Sequence, residues 1–361
     1  MFPKGLVRSE REGNKDSFLV DAQRLHASVP VADIHSDIPT DIYRRRERGE
    51  RDILGNVHLP KLRAGGVSIC GMAVNNDSFV GGLQADAALR RVINMIEAVE
   101  EEVANAPEFR MARTVAEMTA AVKEGRIAVP LGLEGGACIG ESIATIRALY
   151  RLGIRSIVLT WNYRNGIGDG IAEEGRGGGL SRFGVLAVKE MQRLGIVVDV
   201  SHLTQVGVDQ VLDVAERPII ASHSNARTLC DHPRNLNDQK IEAIARMGGL
   251  VGVCFYPGFV DVAAPSLDRV LDHIDYLVQL VGDEHVAFGP DFVDYMSDFL
   301  NEKLQQANVG YLNSSEYPIG ISGVHELHNV TAGLLARGYT DVSITKILGE
   351  NYLRVCNLAM N

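Results

Sequence analysis

Along this chain, short unbroken apolar runs rich in Val and Ile alternate with longer stretches whose apolar residues recur every three or four positions. Runs without polar alternation mark strands covered on both faces, and the longer period marks amphipathic helices laid over them. The strand runs are VPVADIHSD, VSICGMAV, AVPLGLEG, SIVLTWN, GIVVDVSH, PIIASHS, LVGVCFY and HVAFGPDF. Helical stretches such as ADAALRRVINMIEAVEEEVA, SIATIRALYRLG, RFGVLAVKEMQRLG and DRVLDHIDYLVQLVG lie between most of them, several closing on the Gly that stops helices. Eight strands in this order predict an α/β fold, a parallel (β/α)8 TIM-like barrel. A doubly wound sheet is the second arrangement, but no glycine fingerprint for a nucleotide follows the first strand. The expectation is one barrel domain over residues 1–361, with residues 1–30 as an N-terminal extension. Two loops, the glycine-rich GDGIAEEGRGGGLSR and a polar stretch from Met296 to about Gly323, follow strands and are placed at the barrel mouth.

Composition narrows the class. With 361 residues, 46% of them hydrophobic, the chain can bury a large core. A net charge of -10 argues against a nucleic-acid or anionic-membrane surface, both of which need clustered positive charge. The one basic run, YRRRERGERD, is interleaved with acids and reads as a solvated helix face. Five scattered cysteines without a CxxC pair make neither a disulfide framework nor a thiolate zinc site. With no apolar leader, no membrane-length run and no hydrophobic anchor tail, the expectation is a soluble, cytoplasmic protein.

The chemistry collects where the strand runs end. In VADIHSDIP, residues i and i+2 of a strand point the same way, so His35 and Asp37 project together from the end of the first strand. Taken alone, the pair also fits an N-cap or turn. Other strand runs end in Glu134, His202, His223 and Asp291. The carboxyl ends of barrel strands converge on one face, where these residues would meet. Three imidazoles with carboxylates suit zinc better than calcium or magnesium, which prefer oxygen. His35, Asp37, Glu134, His202 and His223 exceed what one tetrahedral ion needs, and two ions sharing Glu134 use them all. Of the remaining histidines, His325 and His328 are spaced three apart in HELH, not four as a zincin helix requires, and read as helix-surface residues. His26, His58, His232, His273 and His285 read as solvated or structural. After His223, the segment SHSNARTLCDHPRN carries Arg227 and Arg234 over the site. An arginine there can clamp a substrate carboxylate, with a surface ion pair as the plainer role, the more so for Arg227.

These residues resemble the renal or membrane dipeptidases, the M19 metallopeptidases among the amidohydrolase-like barrels. The resemblance runs from about Val31 to Val355 and rests on the HxD of DIHSD, GLEGG, GGLSRFGVLAVKEMQRLGIVVDVSH, ASHSNAR, HPRN, GPDF and LLARGYTDVSITKILGENYLRV. It implies a (β/α)8 barrel with two zinc ions, His35 and Asp37 on one, His202 and His223 on the other, and Glu134 bridging. It also implies that Asp291 handles the proton, that Arg234 meets the substrate's carboxylate and that Tyr256 lines the pocket. The implied activity is hydrolysis of dipeptides, including those with a D-residue at the C-terminal position; a homodimer is an arrangement it allows. N-acyl amino acid or lactone hydrolysis on the same centre, and a barrel without turnover that serves as a scaffold, are the alternatives. The chain departs from the family pattern at Trp161, where many members carry a histidine after the Thr of the fourth strand, and at Ala137, another frequent histidine position. Trp161 would line the pocket, leaving Asn162, Arg164 or Asn165 on the next loop to supply the missing donor.

Overall fold

The computed structural model describes residues 14–75, 84–296 and 317–361. All eight expected strand runs form strands: β1 (Ala32–Ser36), β2 (Ile69–Asn75), β5 (Leu131–Glu134), β6 (Ile154–Val158), β7 (Val197–Asp199), β8 (Ile220–Ala221), β9 (Leu250–Val253) and β10 (Val286–Phe288). Two short strands come in addition, β3 (Phe109–Met111) and β4 (Ile127–Val129). Pro130, which has no N–H to give the ladder, separates β4 from β5, so the run AVPLGLEG is two strands rather than one. β3 escapes the sequence reading because the three residues FRM are too few to set an alternation apart from chance.

Among the described residues, all pairings between strands are parallel. The ladder runs from β10 through β9, β8, β7, β6 and β5 to β2, which also pairs with β1, while β4 and β3 extend from the lower part of β2. β1 packs against β10, so the sheet curls into a (β/α)8 TIM-like barrel. Apart from β3 and the first half of β6, the strands are buried on both faces, apolar side chains filling the interior and helices covering the outside. The helices are set by their ends: Ser181, Thr204, Asn237 and Ser266 accept from the third backbone N–H after each, and Gly195 ends the helix Arg182–Leu194 in the left-handed conformation.

The helix Lys15–Ser28, in the expected N-terminal extension, packs against the helix Leu327–Ala336. Among the described residues no helix is long and apolar enough to cross a membrane. The glycine-rich segment after β6 is tied down by an antiparallel bridge between Gly168 and Leu180 and by the Gln210 side chain, which accepts from Leu180 N–H. Most of the expected polar stretch from Met296 to Gly323 lies outside the described residues.

Candidate metal centre

Each expected ligand sits at or just after the carboxyl end of a barrel strand. His35 is in β1, Glu134 closes β5, and His202 and His223 follow β7 and β8. Asp37 occupies the N-cap position of the helix Ile38–Glu47, yet its carboxylate makes no capping hydrogen bond. That separates it from the cap reading of the sequence and leaves it for the site.

One carboxylate oxygen is the meeting point. Glu134 Oε1 lies 3.5 Å from His35 Nε2, 3.3 Å from His202 Nε2 and 3.7 Å from His223 Nε2. The rings of His35 and His223 are 3.9 Å apart, and those of His202 and His223 4.9 Å. Among the described residues, two sets place their ligand atoms within 4.8 Å of one another: His35, Glu134 and His223, and His35, Asp37 and Asp291. Nε2 of His35, Nε2 of His223 and Oδ1 of Asp37 are buried without a hydrogen-bond partner. Buried polar atoms left open in this way cost free energy unless something else satisfies them, and a cation that accepts N and O ligands does so.

Supporting residues orient these groups. His202 Nδ1–H donates to Asn162 Oδ1 at 3.0 Å, and His223 Nδ1 is hydrogen-bonded with Ser222 Oγ at 2.8 Å, which turns both Nε2 atoms toward Glu134. Asp199 at the end of β7 accepts from the N–H groups of Ser201 and Ser222, and Ser201 Oγ accepts from His223 N–H. One carboxylate therefore ties the turn carrying His202 to the one carrying His223. Asn75, the last residue of β2, donates to Glu134 Oε2 at 2.7 Å. His202 and Asp291 have φ of 67° and 58°, in the left-handed region that non-glycine residues enter at a cost. Thr160 Oγ1–H donates to the His202 carbonyl and Tyr317 O–H to the Asp291 carbonyl, holding both in place.

Crowding shapes the charges. Burial, then Arg234, pushes His202 down to about 3, and burial followed by His35 lowers His223, so both are neutral with lone pairs free to ligate. His35 is carried up to about 10: burial opposes its charge, but Glu134, Asp291 and Asp37 outweigh it. Asp37 is raised well above the usual range by burial and then by Glu134 and Asp291. Asp291 is raised by burial and Glu134, against His35 and Arg234. Glu134 stays low despite burial because His35 and His202 hold its charge. Carboxylates that oppose one another's ionisation in a buried site are what divalent cations relieve.

A cleft of about 740 Å³, its open mouth included, lies over these residues and is lined by Trp161, Asn162, Tyr256, Asp291 and Phe259 among others. Trp161 stands beside His202, ring centroids 6.0 Å apart. Asn162, expected on the substrate, also holds His202. Arg234 is 3% exposed, its Nη2–H donates to the His223 carbonyl, and its guanidinium sits 5.1 Å from the Phe259 ring centroid. It is no surface ion pair, whereas Arg227 is one, with Asp231. The sequence reading passed over Asn75 and Asp199, although each ends a strand and that position was the available signal.

The other histidines divide. His26, His58 and His273 are buried and structural: His26 meets the Gly65 carbonyl and Thr331, and His58 meets Asp41. His328 is not an open helix-surface residue, because its ring packs 4.2 Å from that of His26 and burial lowers its pKa.

The sequence profile of the membrane dipeptidase family (peptidase family M19) matches residues 19–361. The chain is 32% identical to the dipeptidase verJ of Clonostachys rogersoniana over 94% of its own length and 87% of that protein's. It is also 32% identical to the dipeptidase aclJ of Aspergillus oryzae, covering 98% of this chain and 82% of that one. Among solved structures it is similar to an amidohydrolase from Pseudomonas aeruginosa, with TM-score 0.76, 25% identity, and coverage of 94% of this chain and 99% of the other.

Proposed function

Since the chain belongs to the membrane dipeptidase family, peptidase family M19, and is a metal-dependent dipeptidase by that membership, we propose that it is a dinuclear zinc enzyme acting on dipeptides with a free carboxylate, C-terminal D-residues included. His35 and Asp37 would hold one ion, His202 and His223 the other, with Glu134 shared. The observation that carries this is the convergence of three Nε2 atoms on Glu134 Oε1, two of them buried without any hydrogen-bond partner. When bound, such ions lower the pKa of a water and polarise the scissile carbonyl.

The chain's own residues do the rest. Asp291, on the cleft wall, takes the proton of the attacking water on its carboxylate and returns it to the leaving amine as the C–N bond breaks. Arg234, whose Nε is buried without a partner, meets the substrate's carboxylate. Trp161 and Tyr256 form walls that orient the peptide. Asn162 and Ser222 keep the imidazoles in the ligating tautomer.

The test is elemental analysis of purified protein together with a panel of dipeptides, dipeptides ending in a D-residue, and N-acyl amino acids. About two zinc ions per chain are expected, as in two-metal hydrolases, with both diminished in Glu134→Gln. One ion per chain, or full activity after exhaustive chelation, overturns the dinuclear reading. Cleavage of N-acyl amino acids alone overturns the dipeptide reading.

A further inference from the structure

The cleft is lined by three carboxylates, Asp37, Glu134 and Asp291, and among its described residues by one cationic side chain, Arg91. Arg91 stands in the helix Ala85–Asn105, three residues after buried Ala88 and four before buried Met95. That spacing puts it on the stripe the helix turns inward, not on its solvated face. The guanidinium stacks on Tyr43, 5.6 Å from the ring centroid, and Nε is buried with no hydrogen-bond partner. Several other arginines are held by carboxylates of the protein: Arg45 by Asp41 and Glu50, Arg269 by Asp261 and Asp272, Arg337 by Asp272 and Asp275. A planar fork that is fixed on one side by an aromatic ring, open to a cleft and left unpaired is suited to receive a carboxylate from outside the protein.

Its place relative to Arg234 says which carboxylate. The Arg91 helix follows β2, the second of the barrel strands, and Arg234 follows β8, the sixth. Four steps around an eight-strand ring is the opposite side of the mouth. Arg234, packed on the cleft-lining Phe259 and given the substrate's carboxyl end in the proposed function, leaves the far end of a short substrate to Arg91. We propose that Arg91 is a specificity-determining contact that selects dipeptides with a carboxylate on the side chain of the amino-terminal residue, Asp or Glu. The inference rests on the dipeptidase reading. Such a substrate spans the mouth: its α-carboxylate lies toward Arg234, its scissile carbonyl over Glu134 and its side-chain carboxylate on Arg91.

The experiment compares kcat/KM of zinc-loaded wild type, Arg91→Met and Arg91→Lys on Glu-Ala, Gln-Ala and Ala-Ala, and measures by calorimetry the binding of phosphinate analogues of Glu-Ala and Gln-Ala. Wild type is expected to favour Glu-Ala over Gln-Ala by at least ~10-fold, chiefly through KM, as a charge-assisted contact does. Arg91→Met should bring that ratio close to one, and Arg91→Lys should keep an intermediate ratio and serves if the Met variant does not fold. Turnover without a Glu-Ala preference, or an equal loss on all three peptides in Arg91→Met, overturns the role of Arg91 and leaves the dipeptidase reading standing. If no peptide is cleaved but the glutamyl phosphinate still binds more tightly, and only to chains carrying Arg91, the dipeptidase reading falls and the anion contact stands.

Discussion

His273 shows how a single buried side chain imposes a pH dependence. Its Nε2–H donates to the Val260 carbonyl and its Nδ1 accepts from Ala226 N–H, so the neutral ring uses both nitrogens. A second proton would set N–H against N–H, and burial first of all, with Arg269 adding to it, pushes the pKa from 6.5 down to about 4. The folded value lies below the unfolded one, so between the two the unfolded chain binds more protons. Stability is therefore full above about pH 6.5, falls as pH drops through that value and stops falling below about 4. In urea titrations at pH 7 and pH 5, His273→Gln should be the less stable protein at pH 7, yet lose about 2 kcal/mol less than wild type between the two. An equal loss in both would mean that His273 is not the group titrating. Asp291 makes a second case. Asp291→Asn should lower kcat by ~10²- to 10⁴-fold while most of the metal stays bound, read by kinetics and elemental analysis on the same sample. Because its carboxylate stands within reach of His35 and Asp37, loss of an ion would make it a ligand instead.

Between neighbouring strands the tolerances are tighter than any propensity records. Gly252 in β9 has no room for a side chain: a Cβ there would come within 1.9 Å of the Ser222 carbonyl oxygen and 2.8 Å of Ile34 Cδ1. Ser222 precedes His223 and β8 is only two residues long, so the backbone that gives way is the one that carries His223. Gly252→Ala should destabilise the protein by about 1–3 kcal/mol, as overpacking does, and lower its metal content. Gly55→Ala is the control, since nothing lies within 4 Å of the position. It should leave both unchanged or add a few tenths of a kcal/mol. Chemical denaturation of the two variants side by side, with metal analysis, checks the pair.

For the molecule as a whole, the five cysteines matter by being out of reach. Cys70, Cys138, Cys230, Cys254 and Cys356 are all free and buried. Burial raises the pKa of Cys70, Cys230, Cys254 and Cys356, which keeps these thiols protonated and poor nucleophiles. A thiol reagent should therefore find none of the five in the native protein and all five after unfolding, and reductant should not move the melting temperature. Rapid native labelling would show that a barrel strand or its covering helix opens easily.

The elements and the convergence of the candidate site residues were legible in the sequence because both are local. A parallel strand buried on two faces announces itself by composition, and the residue that ends it in a barrel has nowhere to go but the common mouth, which is how His35, Asp37, Glu134, His202 and His223 stand out as candidates. The split at Pro130 and the short β3 were hidden, since a three-residue strand has too few positions to show a pattern. What folding decided was which side chains face one another across long sequence separations. Asn162 meets His202 forty residues on, Asp199 joins the turns of His202 and His223, Arg234 lies against Phe259, and Arg91 comes to the cleft from a helix that reads as ordinary cover. Hydrophobic period fixes the face a residue occupies, but the partner it finds there depends on the packing of elements distant in the chain, and no local pattern encodes it.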